Sequence, residues 1–438
     1  MAVNTMSIKK TTPGGKSPQK VVILGSGFGG LYTALHLKSR LKPGEAEIHL
    51  VSREDHFLFT PLLHEVAAGL LEPYEVARPV STLVGKDIEF HNATVESLDL
   101  DARVVALDGG PLPYDTLVLA LGSEANYYGL PNVQAESMPL KTLDDALKMH
   151  DHFLSLFERA RRETDPDARR RLLTIVLAGA GCTGVELVSE LHHLIMHGVR
   201  QKYPELDPVR DIELVVVEAS DHVLCPHDEA LAASVMDAFR RRHIRVMLHT
   251  AVTGREPGAI LVKDLPSGRT GRISAEMLIW TAGIQPNDLV RGLPLSKDPR
   301  GSLLVDESLQ VKGHPDIYAL GDCAAAPWEG EQFVPWTAQA ALQEARTVAA
   351  NIVGGIRGGP LVAFRYKHLG EVATLGGAEG VSEFLGLKLR GLPGWLAARM
   401  AHLARLPDWS DRVRVVVEWG ADFLGPREVE EESRTLAH

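Results

Sequence analysis

The sequence predicts an α/β fold with two dinucleotide-binding domains, because one pattern of strand, glycine-rich loop, helix and strand occurs twice. The first copy spans residues 20–52 and the second spans residues 171–219. Their leading loop glycines, Gly25 and Gly179, are 154 positions apart (179 − 25). This distance indicates a duplicated domain and not a short repeat. A chain of 438 residues is also long enough for two or three domains.

The composition excludes some classes of protein. A net charge of −11 argues against general nucleic-acid binding, which usually requires a basic face. Residues 1–19 are polar and lack the apolar stretch of a secretory signal, so we expect a disordered tail. No stretch reaches the roughly 18–20 apolar residues of a membrane-spanning helix.

The first loop has the sequence GSGFGG at residues 25–30 and follows the apolar strand VVIL. In this pattern the glycines allow a tight turn, close approach of the backbone to a pyrophosphate, and tight packing of helix on strand. The helix that follows directs its first N–H groups at the phosphates. A structural glycine turn is the alternative. The residues expected to bind a dinucleotide here are Gly25, Gly27, Phe28, Gly29 and Gly30.

The acid that usually binds the ribose at the end of the second strand is missing from the first copy. Ser52 ends this strand, and Arg53 and Glu54 follow it. We expect Ser52 and Arg53 to lie at the ribose, with Glu54 as a substitute acid. The alternative is a solvated loop.

The second loop, GAGCTG at residues 179–184, precedes a strand that ends in Glu218. A carboxylate at this position binds the ribose hydroxyls and repels a 2′-phosphate, which favours NADH over NADPH. An acid facing solvent is the alternative. Glu186 follows the loop directly, and we expect it to relay protons or position the nicotinamide; a dipole-stabilising acid is the alternative. The residues expected at NADH are Gly179, Gly181, Thr183, Gly184, Glu186 and Glu218.

The cysteines are few and separate. Cys182, Cys225 and Cys323 form no C-x-x-C pair, and a low, odd count is typical of a reducing compartment. The histidines and cysteines show no metal-ligand spacing, so we expect no metal site.

A strand ending in Gly321-Asp322 and two turns of small residues, 120–122 and 281–283, complete a larger pattern. Over about residues 20–345 the chain resembles the pyridine-nucleotide-dependent flavoprotein superfamily, which has the fold of glutathione reductase. The resemblance implies FAD on the first loop and an NAD domain inserted into the FAD domain. The implied bounds are 20–130 and 286–365 for the FAD domain, 137–285 for the NAD(H) domain and 366–438 for a C-terminal segment. The implied further contacts are Ala120, Gly122, Gly321 and Asp322 for FAD, and Ala282 and Gly283 for NADH.

Within that superfamily the chain is similar to the type II, non-proton-pumping NADH:quinone oxidoreductases. The similarity lies in FTPLLHEVAAG at 59–69, in AQAALQEA at 338–345 and in the C-terminal segment. It implies that Thr60, Pro61, Ala338 and Gln339 lie at the flavin. Gln339 and Gln343 share a helix face, and their amides can donate to a quinone carbonyl without a proton change. Plain helix-face amides are the alternative.

Two departures from the family limit the assignment. Leu369 occupies the place where bacterial members often carry a lysine, so no catalytic lysine is expected. Ala345 stands where a glycine often ends the glutamine helix.

The disulfide reductases of the flavoprotein superfamily need a cysteine pair near the flavin, but residues 45–75 contain none. Electrons are therefore not expected to leave through a protein dithiol.

The C-terminal segment suggests how the chain meets a membrane. Leu396, Met400 and Leu403 fall on one helical face with Trp395 at its edge. A basic face opposite an apolar one suits the headgroup boundary; a docking helix or homodimer contact is the alternative. The residues of the basic face are Arg399, His402 and Arg405. The acidic end at 428–434 is expected to be disordered.

These patterns together predict an FAD enzyme that oxidises NADH and reduces a membrane quinone from the cytoplasmic face, as a peripheral protein. Three alternatives remain open. One is an NADH-dependent reductase of a soluble carrier such as rubredoxin or ferredoxin. Another is an enzyme like sulfide:quinone oxidoreductase, and the third is a non-catalytic flavin-bound redox sensor.

Overall fold

The computed structural model describes residues 17–224, 229–330, 332–384, 386–406 and 409–424. The chain forms two compact units, each made of three segments. Unit 1 contains residues 1–55, 80–122 and 288–366, and unit 2 contains residues 56–79, 123–287 and 367–438. Residues 56–79 and the C-terminal segment thus belong to the same unit as the second glycine loop. The bounds of the cofactor domains given above differ from these units and stay a prediction.

Unit 1 is built on a mostly parallel six-stranded sheet. The strand VVIL is fully buried at its centre, as a strand covered on both faces requires. Ile23 pairs with Leu50 on one side and with Val118 on the other. In spatial order the strands are Gln310–Val311, His314–Ala319, Thr116–Leu119, Gln19–Leu24, Ala46–Ser52 and Glu89–Asn92.

Smaller elements complete unit 1, and the helix after the first loop packs against the glutamine helix. The helices are Phe28–Arg40, Val80–Val84, Asp288–Gly292 and Ala338–Ile356, with a 3₁₀ turn at Gly321–Cys323. The remaining strands are Val95–Asp99, Val104–Leu107, Gly110–Pro113, Leu303–Leu304 and Ala324–Ala325.

Unit 2 repeats the parallel arrangement in a five-stranded sheet. The strand before the second loop is again central, since Ile175 pairs with both Leu214 and Met277. In spatial order the strands are Met138–Pro139, Met277–Trp280, Thr174–Ala178, Glu213–Val217 and Arg245–Met247. The other strands of the unit are His56–Leu58, Ala77–Pro79, Ser123–Ala125, Thr250–Glu256, Ala259–Asp264, Thr270–Ser274, Ile284–Pro286, Gly370–Thr374, Gly380–Phe384 and Leu387–Arg390.

The helices of unit 2 surround this sheet. The charged stretch at about 142–171 forms two helices, because Pro166 starts a new helix that Asp165 caps. The helices are Leu63–Ala67, Pro73–Val76, Pro131–Glu136, Leu143–Arg162, Pro166–Leu172, Cys182–Leu194, Arg200–Lys202, Glu229–Arg241, Gly391–Arg405 and Trp409–Leu424. A 3₁₀ turn spans Thr60–Leu62, and a π-helical turn spans Ile195–Val199.

The predicted C-terminal helix is present at Gly391–Arg405, but its orientation corrects the prediction. Arg399 and His402 are buried, whereas Leu396 and Met400 are exposed. The expectation that Arg399 and His402 lie on the outer face was wrong, because a buried carboxylate neutralises the arginine, as described below. In the described part of the chain no helix is long and apolar enough to cross a membrane. Residues 1–16, Cys225 and the acidic end at 428–434 lie outside the described residues.

Candidate active site

The two glycine loops have nearly the same backbone. The φ angles of Gly25 and Gly179 are +100° and +98°, which side chains rarely allow. A Cβ on Gly30 would lie 1.8 Å from the carbonyl oxygen of Gly25, and one on Gly184 would lie 2.1 Å from that of Gly179. Both loops therefore require glycine at their first and last positions.

The middle glycine of each loop borders open space. A Cβ built on Gly27 or on Gly181 would meet nothing within 4 Å. Each glycine also precedes the first turn of a 13-residue helix, Phe28–Arg40 or Cys182–Leu194. Exposed N–H groups beside open space are what a dinucleotide pyrophosphate requires. Both loops fit the dinucleotides assigned to them, FAD and NAD(H).

The end of the second strand in unit 1 contacts the first loop. The hydroxyls of Ser26 and Ser52 are 2.8 Å apart. The side-chain amide of Asn92 donates to the carbonyl oxygens of Ser52 and Arg53, at 3.2 and 2.8 Å. The Arg53 side chain is exposed and pairs with Glu54 at 3.1 Å. Ser52 thus lies at the loop, and Arg53 extends into solvent.

The corresponding position in unit 2 carries a fixed carboxylate. The backbone N–H of Ala180 donates to Glu218 Oε2 at 2.6 Å, and that of Ser220 donates to Oε1 at 2.8 Å. A carboxylate held by two N–H groups keeps its remaining lone pairs for further donors such as ribose hydroxyls.

The small-residue turns lie against the loops. A Cβ on Gly25 would be 2.2 Å from the carbonyl oxygen of Ala120, and one on Gly179 would be 2.5 Å from the Cα of Ala282. A Cβ on Gly283 would be 2.1 Å from the hydroxyl of Tyr128. The turns therefore lie in direct contact with the loop glycines, and the Tyr128 hydroxyl leaves no room for a side chain at Gly283.

The turn at Gly321-Asp322 contains a residue that the sequence analysis missed. The N–H of Gly321 donates to Glu344 Oε2 at 2.6 Å. Burial, and secondarily the nearby charge of Asp322, raise the pKa of Glu344 to about 8. An acid in an alanine-rich helix next to Gln343 was the available signal. Asp322 itself is half-buried, and its carbonyl oxygen accepts from the hydroxyl of Ser302 at 3.2 Å.

The glutamine helix starts where the sequence places it. Thr337 caps Ala338–Ile356 by accepting a hydrogen bond from the N–H of Ala340 at 3.2 Å. Gln339 and Gln343 are both half-buried, one turn apart on this helix. The structure therefore places the two amides on one face of unit 1.

A group of charged and polar side chains is buried in unit 2, and we call it the buried ionic cluster. Its members are His64, Glu65, Glu186, Glu190 and Arg399, each at most 6% exposed. The guanidinium of Arg399 donates to Glu65 Oε1 and lies 4.0 Å from Glu190 Oε1. The indole N–H of Trp419 donates to Glu65 Oε2 at 2.8 Å. The cluster thus joins the segment 59–69, the helix after the second loop and both C-terminal helices.

Glu186 belongs to this cluster. Its Oε1 accepts from the N–H of Thr374 at 3.2 Å, and its Oε2 lies 3.7 Å from His64 Nδ1. Burial raises the pKa of Glu186 well above its ordinary value, and the carboxyls of Glu65 and Glu190 add to this. Burial lowers the pKa of His64. Both shifts favour the neutral forms, the protonated carboxyl of Glu186 and the uncharged ring of His64.

Sequence patterns do not show that Glu65 and Arg399 are partners. A single acid inside the apolar run LLHEVAA was a signal for Glu65, but its partner lies 334 positions away. Thr60 and Pro61 form the 3₁₀ turn before this run, and Thr60 is exposed. They lie in unit 2, whereas the other residues predicted at FAD lie in unit 1.

The described cysteines do not suit sulfur chemistry. Burial raises the pKa of the Cys323 thiol to about 12, and its Sγ lies 3.6 Å from the carbonyl oxygen of Gly122. A thiol must ionise to act as a nucleophile, which this environment opposes. Cys182 is half-buried at the start of the second loop helix.

Known proteins resemble the chain over most of its length. The family model described as pyridine nucleotide-disulphide oxidoreductase matches residues 19–345. A type II NADH:quinone oxidoreductase of Mycobacterium tuberculosis is 31% identical, over 93% of this chain and 89% of its own length. The chain belongs to the type II NADH:quinone oxidoreductase family. A second relative, a demethylphylloquinone reductase of Synechocystis, is 33% identical over 93% of this chain and 96% of its own length.

Solved structures share the fold. The NDH2 of Plasmodium falciparum, in complex with NADH, matches with a TM-score of 0.85 at 20% identity, over 94% of this chain and 100% of that one. A sulfide:quinone oxidoreductase of Aquifex aeolicus matches with a TM-score of 0.73 at 22% identity, over 90% and 92%. As a family member, the chain is an oxidoreductase that binds FAD and NAD(H). The contacts of individual residues with these groups stay predictions.

Proposed function

We propose that this chain oxidises NADH and transfers two electrons through FAD to a membrane quinone, without pumping protons. The observation that carries the proposal is the presence of two complete dinucleotide loops in one family member whose described cysteines cannot form a dithiol near the first loop. When bound, FAD supplies the hydride acceptor and the electron donor of this chemistry. The balance is NADH + H⁺ + quinone → NAD⁺ + quinol, so the protein must supply one proton beyond the hydride.

The second loop selects the electron donor. Glu218 is fixed by two N–H groups at the loop, which supports a role as acceptor of hydrogen bonds from the adenosine ribose hydroxyls. Its charge opposes the 2′-phosphate of NADPH. The open backbone at Gly181 holds the pyrophosphate.

Two groups handle the quinone and its protons in this proposal. Gln339 and Gln343 donate amide N–H groups to a quinone carbonyl, which needs no change in their own protonation. Glu186, whose pKa burial raises, acts as the proton-holding group, and His64 Nδ1 lies 3.7 Å from its Oε2.

The C-terminal helices form the membrane-facing surface in this proposal. Leu392, Leu396 and Met400 are 48–63% exposed on the first of them. The second helix exposes Val413, Val416 and Val417. Exposed apolar side chains on these two consecutive helices suit insertion at the boundary between headgroups and acyl chains. The chain then acts as a peripheral protein on the cytoplasmic face of the membrane.

Separate half-reactions test the quinone assignment. Gln339→Ala and Gln343→Ala should leave flavin reduction by NADH unchanged and lower kcat/KM for a short-chain quinone about tenfold each, since each removes one or two hydrogen bonds. Gln332→Ala, at an exposed glutamine of the same unit, is the control. Equal loss in both half-reactions, or transfer to rubredoxin or ferredoxin faster than to quinone, contradicts the proposal.

Vesicle flotation tests the surface. The double variant Leu396→Ser, Met400→Ser should bind vesicles of anionic lipid more weakly than the unchanged chain. Leu265→Ser, at an exposed leucine of a hairpin in unit 2, is the matched control. If the double variant floats with vesicles as well as the unchanged chain does, this part of the proposal is overturned. That result is expected if the apolar helices serve only as a contact between two copies.

A further inference from the structure

Strand pairing at the edge of the six-stranded sheet brings together three side chains that the sequence separates. In the parallel ladder between Ala46–Ser52 and Glu89–Asn92, His49 lies opposite Glu89 and Val51 lies opposite His91. Residues two apart on a strand project from the same face. His49, Glu89 and His91 therefore share one face of this edge.

One ligand atom from each of these side chains lies within 4.8 Å of the other two, and we call this arrangement the triangle. His49 Nδ1 and His91 Nε2 are 3.0 Å apart. Glu89 Oε2 lies 3.5 Å from His49 Nδ1, and Glu89 Oε1 lies 3.7 Å from His91 Nε2. Ligands about 2.1 Å from a tetrahedral zinc ion are about 3.4 Å from one another. The triangle thus has the size of three corners of such a site.

The surroundings of the triangle suit a metal ion. The His49 side chain is 7% exposed, so its ring is held in place inside the edge of the sheet. Its other ring nitrogen, Nε2, lies 4.0 Å from Glu47 Oε2, beyond hydrogen-bond distance, and is buried without a hydrogen-bond partner. Glu89 is 65% exposed and leaves access for the ion and a fourth ligand from water.

We propose that His49 Nδ1, His91 Nε2 and a carboxylate oxygen of Glu89 bind a divalent transition-metal ion of the zinc class. Two imidazoles and one carboxylate suit such an ion, whereas Mg²⁺ and Ca²⁺ prefer oxygen ligands throughout. The sequence predicted no metal site because the ligands lie on different strands, with 40 positions between His49 and Glu89. Strand register assembles a site that local spacing does not show.

The bound ion clamps the edge strand to its neighbour. Asn92 ends the edge strand, and its amide holds the carbonyl oxygens of Ser52 and Arg53. The clamp therefore steadies the strand end beside the first glycine loop. It takes no part in electron transfer, so the site stands or falls independently of the proposed quinone chemistry.

Metal titration of the flavin-loaded chain tests this site after removal of bound ions with a chelator. Equilibrium dialysis with Zn²⁺ should give one tightly bound equivalent per chain. Co²⁺ should give the visible bands of tetrahedral coordination at wavelengths longer than the flavin bands. His49→Gln and His91→Gln should each abolish this equivalent.

Matched controls exclude adventitious binding. His314→Gln and Glu96→Gln change a histidine and an exposed glutamate of unit 1 outside the triangle, and both should keep the full equivalent. His91 is more exposed than His49, so His91→Gln keeps the test valid if His49→Gln lowers the flavin content. Absence of a stoichiometric ion, or an equivalent that survives His91→Gln, overturns the proposal. Loss of quinone reduction with metal binding intact refutes the proposed function and leaves this site standing.

Discussion

The two glycine loops share a backbone but differ in what surrounds them. Their leading glycines have φ angles of +100° and +98°, and a Cβ on the last glycine would collide with the first glycine's carbonyl in both. The helix after the second loop carries Glu186 and Glu190, whereas the positions 154 earlier, on the helix after the first loop, hold Tyr32 and His36. The motif therefore determines how a dinucleotide is cradled, and the side chains outside the motif determine the chemistry beside it.

Each region also has its own buried carboxyl. Glu344 in unit 1 is held by one backbone N–H of Gly321, with the charge of Asp322 nearby. Glu186 in unit 2 lies in a cluster with two other carboxyls and one guanidinium. In both carboxyls burial is the main cause that raises the pKa and nearby like charge adds to it, whereas only Glu186 also has a guanidinium nearby that lowers it.

Arg399→Met should produce the largest effect, because it removes the cation of the buried ionic cluster and leaves Glu65 without it. Breaking a buried ion pair on one side costs about 3–5 kcal/mol. We expect the free energy of unfolding of unit 2 to fall by that amount, measured by urea denaturation followed by tryptophan fluorescence. Arg414→Met, at an exposed arginine of the C-terminal helix, is the control. Adding Glu65→Gln to Arg399→Met should restore part of the lost stability. Equal losses of stability in the two arginine variants would contradict a stabilising role for Arg399 in the buried ionic cluster.

Alanine at the last glycine of each loop should separate the two nucleotides. Gly30→Ala and Gly184→Ala place a methyl group 1.8 and 2.1 Å from a carbonyl oxygen. Overpacking of this kind costs about 1–3 kcal/mol, or roughly 5–150-fold in affinity. Gly30→Ala should lose FAD on gel filtration, and Gly184→Ala should keep FAD while the Kd for NADH rises. Gly109→Ala, where a Cβ meets nothing within 4 Å, should change neither. Loss of FAD from both loop variants would contradict the assignment of FAD to the first loop and NADH to the second.

Glu344→Gln should change how stability depends on pH. Glu344 keeps its proton in the folded protein up to about pH 8, whereas the ordinary value is 4.5. Between these values the folded state binds more protons than the unfolded state, so stability falls as pH rises. The slope from this group is about 1.4 kcal/mol per pH unit, and it vanishes above about pH 8.

The amide variant cannot ionise, so its unfolding free energy should lose this slope and gain on that of the unchanged chain toward pH 8. Urea unfolding at several pH values measures the difference. Glu329→Gln, at an exposed acid of unit 1, should retain the slope. Parallel pH profiles for the unchanged chain and Glu344→Gln would show that Glu344 is ionised in the fold.

Changes at the two strand ends should have the smallest effects. Glu218→Gln keeps one acceptor and loses the charge, so the Kd for NADH should rise roughly fivefold, about 1 kcal/mol, while the Kd for NADPH falls. Ser52→Ala should weaken FAD by a similar or smaller factor and leave the choice between NADH and NADPH unchanged. Calorimetry with each nucleotide measures both. The roles assigned to the two strand ends would be wrong if Ser52→Ala changed the preference for NADH over NADPH. They would also be wrong if Glu218→Gln left that preference unchanged.

The sequence predicts the parts of this molecule that depend on local geometry. The duplicated strand–loop–helix units, the Gly321-Asp322 turn and the helix with Gln339 and Gln343 all lie where the pattern places them. Glycines with positive φ and amides one turn apart are set by neighbours within a few residues. Local sequence therefore contains the information for them.

Long-range partners lie beyond that information. Arg399 counts as a surface cation in a helical projection, but Glu65, 334 positions earlier, makes its burial possible. The register that joins His49 and His91 depends on pairing between strands 40 positions apart. In both cases the tertiary fold decides which polar groups meet, and neither periodicity nor spacing shows it.

Anaerobic stopped-flow mixing of NADH with the flavin-loaded protein tests the NADH-to-quinone assignment most directly. NADH should bleach the oxidised flavin bands within the turnover time, and a second mix with a short-chain quinone should restore them as quickly. The same mix with NADPH should be slower, because Glu218 opposes the 2′-phosphate. Flavin that NADH does not reduce within the turnover time, or reduced flavin that quinone does not reoxidise, would contradict the assignment.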